Sequence, residues 1–304
     1  MEYRTLGSTG ERVSAIGIGG AHAGRPQDPA ETTRLIRTAI DAGITFMDNC
    51  WDYSGGNAEE RMGVALRDGY RDRVFLMTKI DGHTAEAAAA QIDQCLKRLQ
   101  TDRIDLIQVH EVIRMDDPEK VFAPGGTMEA LLAAKQAGKL RYIGFTGHKD
   151  PDIHLKMLGM DFPWDTVQMP LNCVDRHHHS FEEKVLPVLV ERKIGVLGMK
   201  PLAAGDAVKS GAATADECLR YAMSLPTSVV ITGCDSLPIA EQAIRVWRDF
   251  TPMSADEMAA LRERTAAHAT GGKLEGYKVS DRFDGTVKNP HWLTTATVVL
   301  DAAD

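Results

Sequence analysis

The stretch Ile104-Asp105-Leu106-Ile107-Gln108-Val109-His110 is almost wholly apolar and ends on an imidazole. A strand with one face in water alternates apolar and polar residues; a near-continuous apolar run suits a strand buried on both faces. Val74-Phe75-Leu76-Met77-Thr78-Lys79 reads the same way and closes on an ammonium. Working outward, similar short runs occupy residues 13–19, 44–49, 142–147, 166–169, 195–200 and 229–233. Helical spacing fills the intervals, as in 29–42, where Leu35, Ile36, Ala39 and Ile40 recur three and four apart. Further helices are predicted over 57–66, 84–99, 127–137, 150–158, 181–192, 214–224 and 238–247. Gly43, Gly138 and Gly159 follow three of these, where a left-handed terminating glycine belongs. Eight strands, each followed by a helix, predict an α/β chain folded as a (β/α)8 TIM barrel. The rival is a doubly wound sheet, whose dinucleotide fingerprint is only half met by Gly17-Ile18-Gly19-Gly20-Ala21-His22. Residues 1–14, with Gly7-Ser8-Thr9-Gly10 at their centre, read as a β-hairpin able to plug the bottom of the barrel. Residues 15–250 form the barrel, and 251–304 a C-terminal helix (255–268) and irregular tail of the same single domain.

Composition is that of a soluble globular protein: of 304 residues, 43% are hydrophobic and 26% charged. That excludes disordered, collagenous and coiled-coil chains. The net charge of −8 offers no basic surplus for nucleic acid or anionic membranes, so neither is expected as a partner. Cys50, Cys95, Cys173, Cys218 and Cys234 are odd in number, scattered and never paired as C-x-x-C, unlike a disulfide framework or a structural zinc site. The first residues lack the apolar core of a secretory signal, and no run approaches the ~20 apolar residues of a membrane span. The expectation is a reduced, cytoplasmic protein acting on a small molecule.

In a TIM barrel, chemistry sits at the C-terminal ends of the strands. Asp48 closes the second run, with Tyr53 five residues on; Lys79 closes the third and His110 the fourth. Ionisable groups at the ends of such apolar strands are costly unless paired. Any one of them alone is most simply a satisfied ion pair or core histidine; four at one level of neighbouring strands point to a site. A free Tyr titrates near 10, too high for easy proton donation at neutral pH. An adjacent Lys stabilises its phenolate, an Asp holds the Lys, and a His can direct a carbonyl oxygen. Such a site donates a proton but has no hydride source of its own, which a nicotinamide cofactor would supply.

These residues resemble the aldo-keto reductase family along nearly the whole chain. Glu2-Tyr3-Arg4-Thr5-Leu6-Gly7-Ser8-Thr9-Gly10 is similar to that family's N-terminal hairpin. Asp41-Ala42-Gly43-Ile44-Thr45-Phe46-Met47-Asp48 followed by Tyr53-Ser54-Gly55-Gly56-Asn57-Ala58-Glu59 is similar to its most specific signature. The resemblance implies reversible reduction of an aldehyde or ketone with NADP(H) or NAD(H), Tyr53 being the general acid and base. Lys79 and Asp48 tune Tyr53, and His110 orients the substrate. The cofactor would then touch Gly19, Gly20 and Ala21, Asp48, Gln168, and the loop Met199-Lys200-Pro201-Leu202 to Gly205. Thr146 stands for the serine hydroxyl that holds the nicotinamide carboxamide, whereas Gly147 lacks the family's asparagine amide, and Met199 replaces a stacking aromatic. At the adenosine end the resemblance points to Gly233, Cys234 and Asp235 and to the pair Glu241-Gln242. Residues 231–244 contain no Lys or Arg, and Asp235 would repel a 2′-phosphate, so a weak preference for the phosphorylated cofactor is expected. Asp235 or Ser236 could instead merely cap the eighth helix.

Trp51 and His148 are expected in the substrate pocket, with His110. No metal is expected: His177-His178-His179 are consecutive and cannot converge on one ion in regular structure. Two other readings compete. A metal-dependent barrel hydrolase would use His110, His148 and carboxylates, but no H-x-H ends the first strand. A reductase-like protein that binds cofactor for a regulatory purpose, with little turnover, is the other.

Overall fold

The eight apolar runs close on themselves. The computed structural model describes residues 1–295. Its barrel strands are β3 (Ile16–Gly19), β4 (Phe46–Asp48), β5 (Phe75–Ile80), β6 (Ile104–Val109), β7 (Leu140–Thr146), β8 (Thr166–Pro170), β9 (Gly195–Met199) and β10 (Val229–Gly233). All neighbours are parallel, and β10 pairs with β3 to complete the ring. Ahead of it, β1 (Tyr3–Thr5) and β2 (Arg12–Ser14) form the predicted antiparallel hairpin.

Period-two alternation explains how apolar strands present polar chemistry. Phe46, Phe75, Met77, Leu106, Leu197, Val229 and Ile231 form one interior cluster, and Leu6 and Val13 of the hairpin region join it. The hairpin therefore plugs the bottom. Two positions beyond those inward residues, the same parity delivers Asp48, Lys79, Gln108 and Met199 to the other end. Burying each large apolar side chain of that interior contributes ~1.5–3 kcal/mol. The floor of the site is thus part of the core.

The first helix, Pro29–Asp41, shows how the connections form. Asp28 accepts from the Ala30 N–H at 2.8 Å, Pro29 takes the first turn, and Leu35, Ile36, Ala39 and Ile40 face the barrel. Gly43, at φ +102°, lets the chain leave. Two local expectations fail. Gly159 is right-handed (φ −81°), its N–H still satisfied by carbonyls of the preceding turn. The predicted helix over 181–192 breaks into Phe181–Lys184 and Leu186–Glu191, because Pro187 has no N–H to continue the ladder.

The C-terminal region is less irregular than predicted. After the helix Ala255–Ala269 come short helical turns at Gly276–Val279, Gly285–Lys288 and Pro290–Leu293. Buried Lys278 holds this segment down, donating to Asp175 at 2.8 Å, Glu275 at 2.7 Å and the His178 carbonyl at 2.7 Å. Among the described residues no helix is long and apolar enough to cross a membrane.

Candidate active site

A cavity of about 550 Å³ opens at the C-terminal end of the barrel. Asp48, Tyr53, Lys79 and His110 all line it. Lys79 is 1% exposed and its Nζ donates three ways: to Asp48 Oδ1, to the Asn49 carbonyl at 2.7 Å and to the Tyr53 hydroxyl oxygen at 3.2 Å. Three hydrogens meet three acceptors, so the ammonium is fully satisfied. Asp48 accepts a second bond from Gln168 Nε2 at 3.1 Å. The Tyr53 oxygen accepts from Lys79, so its own hydrogen is free to donate elsewhere. Tyr53 is delivered by a tight turn in which Ser54, Gly55 and Gly56 all have positive φ. A Cβ on Gly56 would fall 2.4 Å from the Arg98 guanidinium, so that position needs glycine for conformation and for space.

The adjacent ammonium does not leave Tyr53 with a low pKa. Burial, then the charges of Asp48, Cys50, Asp52 and Glu111, hold Tyr53 well above the usual phenol value. The phenol is neutral and carries its proton throughout the physiological range. His110 points Nδ1 away from the cavity, 2.8 Å from Asp81 Oδ1 and 3.3 Å from Cys50 Sγ. Its ring stands perpendicular to that of Tyr53, 6.0 Å between centroids.

Of the other expected residues, Gly19, Ala21, Thr146, Gly147, His148, Gln168, Met199, Lys200, Pro201, Leu202, Gly205 and Gly233 line the cavity. Gly147 departs from the family's asparagine for a steric reason: a Cβ there would sit 2.3 Å from the Val112 carbonyl. Among the described residues Gln168 Oε1 is buried without a partner and Thr146 Oγ1 has only a distant methionine sulfur, so both are available to an amide such as the nicotinamide carboxamide. The strand-end residues therefore fit that cofactor.

Other expected residues lie away from the cavity wall. Trp51 is not a pocket wall. It is 0% exposed and turned outward, its Nε1 donating to Gln94 at 2.9 Å and its ring edge-on to Trp292 at 5.7 Å. Gly20 lies outside the lining; a Cβ would collide with Asn49 at 2.7 Å, so the residue is small for packing. Cys234 is buried outside the cavity wall. Asp235 and Glu241 are exposed beyond the cavity, and Gln242 is occupied by Asp216 at 2.6 Å. Ser236 stands at the N-cap of the helix Leu237–Arg248 without a side-chain cap hydrogen bond. Of the three consecutive histidines, His177 turns to the Arg262 carbonyl at 3.1 Å, while His179 turns to Asp150 at 3.0 Å with its ring against that of His178, 4.4 Å between centroids.

Sequence reasoning missed Asp52, Glu111, Arg25 and Lys209 in the lining, and Asp81 behind it. Asp81 was findable, since it stands two residues past Lys79 and so shares its inward parity. Which groups the tail meets at the barrel mouth was not. Glu111 accepts from the Gly285 N–H at 2.8 Å, the Thr286 N–H at 2.8 Å and the Thr286 hydroxyl at 2.7 Å. Asp284 accepts from His148 at 2.9 Å, and burial pushes that histidine down to about 4. Tail residues Arg282, Phe283, Gly285 and Lys288 thereby join the cavity wall. Lys200, at φ +52°, places its ammonium 5.3 Å and 5.2 Å from the Tyr277 and Phe283 ring centres, and burial lowers it to about 8.

The family model for the aldo/keto reductase family matches residues 15–218, the stretch that carries Asp48, Tyr53, Lys79 and His110. The chain belongs to the aldo/keto reductase family. Aldo-keto reductase YhdN of Bacillus subtilis is 33% identical over 212 residues, covering 65% of this chain and 61% of that protein. L-Galactose dehydrogenase of Arabidopsis thaliana is 31% identical over 223 residues, 69% of this chain and 68% of its own. The chain thus matches about three fifths to two thirds of these relatives' lengths. Among solved structures, the holo form of aldo-keto reductase AKR11C1 from Bacillus halodurans superposes with a TM-score of 0.74 at 22% identity, over 90% of this chain and 99% of that one. That likeness establishes the fold.

Proposed function

We propose that this aldo/keto reductase family member is a nicotinamide-dependent oxidoreductase that reversibly reduces an aldehyde or ketone, with Tyr53 as general acid and base. The observation that supports it most is the Lys79 ammonium saturated by Asp48, Asn49 and Tyr53, which leaves the phenolic hydrogen free beside an open cavity. Thr146 and Gln168 would hold the carboxamide, the Met199 thioether would pack on the ring, and the backbone at Gly19 and Gly233 gives close approach. The bound dinucleotide supplies hydride. The protein's own contribution is the proton: Tyr53 Oη gives it to the substrate oxygen, and Lys79 lies 3.2 Å from the phenolate so formed. In the alcohol-to-carbonyl direction Tyr53 takes the proton back. A wall that includes Asp52, Glu111, His148, Lys200 and Arg282 suits a small polar carbonyl compound.

The test is Tyr53→Phe, which keeps the ring and deletes the proton. Turnover of a carbonyl panel, followed at the reduced-nicotinamide absorbance, is expected to fall by ~10²–10⁴-fold, with cofactor affinity retained. Wild-type turnover in this variant refutes the mechanism. We further propose a weak preference for the 2′-phosphorylated dinucleotide, supported by residues 231–244, which carry no Lys or Arg. Dissociation constants for the two reduced cofactors test it; a preference of ~10³-fold, about 4 kcal/mol, refutes it.

A further inference from the structure

Behind His110 the barrel holds an unusual amount of acid. Asp81 is 0% exposed, its Oδ1 lies 2.8 Å from His110 Nδ1, and its Oδ2 has no hydrogen-bond partner among the described residues. Asp52 Oδ1 lies 3.9 Å from the same nitrogen, and the Cys50 thiol interacts with that carboxyl. Cys50 Sγ, 3.3 Å away, completes the group. The ammonium of Lys79 is spent on Asp48, Asn49 and Tyr53, so among the described residues no lysine or arginine hydrogen-bonds Asp81. Glu111, next along the chain, is committed to the tail. The Asp48 carboxylate also acts on the ring, and burial keeps Tyr53 a neutral phenol and His148 a neutral imidazole at neutral pH.

We propose that Asp81 is a positioning residue for His110, the two sharing one proton whose presence makes His110 Nε2 a donor to the substrate oxygen and whose loss makes it an acceptor. This rests on the reductase reading. The argument is a count of hydrogens. With the shared proton present, either the Asp81 carboxyl donates to Nδ1 or the Nδ1–H donates to the carboxylate. Both arrangements keep a hydrogen on Nε2, the nitrogen on the opposite side of the ring from Asp81. That hydrogen can bond a carbonyl lone pair and orient it toward Tyr53. Without the shared proton, the Asp81 carboxylate holds the single remaining ring hydrogen on Nδ1. Nε2 is then a lone pair, suited to accept from an alcohol hydroxyl. Burial favours the neutral form of both partners, raising Asp81 to about 7 and lowering His110, so the shared proton leaves near neutrality. Asp52 and Glu111, also raised by burial, act on the same ring, whereas Lys79 opposes them.

The test combines kinetics with a readout that needs no turnover. In protein labelled with ¹⁵N-histidine, the His110 ring signals, assigned by their loss in His110→Gln, are followed from pH 5.5 to 9. Nε2 is expected to pass from protonated to unprotonated across neutrality. Over the same window wild-type kcat/KM for carbonyl reduction falls, approaching tenfold per pH unit, while that for alcohol oxidation rises. In Asp81→Asn both kinetic limbs and the wild-type spectral transition disappear. A wild-type His110 whose tautomer is constant over the range overturns the proposal, as does persistence of the transition in Asp81→Asn. Stoichiometric metal bound by the purified protein, held through Cys50, Asp52, Asp81 and His110, would also overturn it. If no carbonyl or alcohol is turned over, or Tyr53→Phe is as active as wild type, the reductase reading falls, and the spectra still decide the shared proton.

Discussion

Replacing Lys79 with Met tests whether the buried ion pair organises the site. Methionine is nearly as long as lysine and apolar, so it fills the space while deleting the charge. Asp48, 4% exposed, would keep the Gln168 amide as its only hydrogen-bond partner among the described residues. Removing one member of a buried pair typically costs ~3–5 kcal/mol, because the survivor is an uncompensated charge in a low-dielectric interior. For a chain of this size that corresponds to a melting temperature lower by on the order of 10 °C. Turnover is expected to fall by ~10²–10⁴-fold, since the phenolate formed on Tyr53 loses its adjacent cation. The double variant Lys79→Met/Asp48→Asn separates the two effects. With no charge left to desolvate, it should regain most of the lost stability and none of the activity. Thermal melts by circular dichroism and steady-state assays of the same preparations supply both numbers. A Lys79→Met protein that melts with wild type, or a double variant no more stable than the single, refutes the reasoning.

Two further outcomes follow from buried side chains. His148 and His154 are pushed down to about 4, chiefly by burial, from an unfolded value of 6.5. The unfolded chain therefore binds more protons between those values, and stability falls as pH drops from 6.5 toward 4, by ~3 kcal/mol for each histidine; a urea midpoint unchanged between pH 7 and pH 4.5 refutes this. Trp51→Ala should destabilise the fold by ~3–5 kcal/mol while leaving KM for cofactor and carbonyl unchanged, because the ring packs on Trp292 and the barrel's outer layer; a selective rise in KM would return Trp51 to the pocket.

The barrel was legible because strand burial is written in local composition. Runs such as Phe75–Ile80 and Ile104–Val109 are apolar on both faces, as a parallel sheet covered on both sides requires, and eight of them each followed by a helix close a barrel. Asp48, Lys79 and His110 were legible for a related reason: ionisable groups at the ends of such runs stand out against them. Where the reading failed, side-chain direction was at stake. Trp51 lies between Asp48 and Tyr53 in sequence, yet the turn that presents Tyr53 sends the indole outward to meet Trp292. Sequence proximity to a catalytic residue says nothing about which way a loop residue points.

The residues by themselves determined the class of fold, the count of strands, the polar ends of β4 to β6 and the family, since each depends on patterns a few residues long. Tertiary structure alone decided what surrounds those ends. The bonds from Gly285 and Thr286 to Glu111 join positions more than 170 apart in the chain, and the His148–Asp284 pair spans 136. The pairing of Asp81 with His110 bridges neighbouring strands that a helix separates in sequence. Periodicity carries no record of such contacts, because it reports how a segment is buried and not against what. The raised carboxyls, the lowered histidines and the neutral Tyr53 all originate in that unrecorded environment, where burial sets the proton affinities on which the proposed chemistry runs.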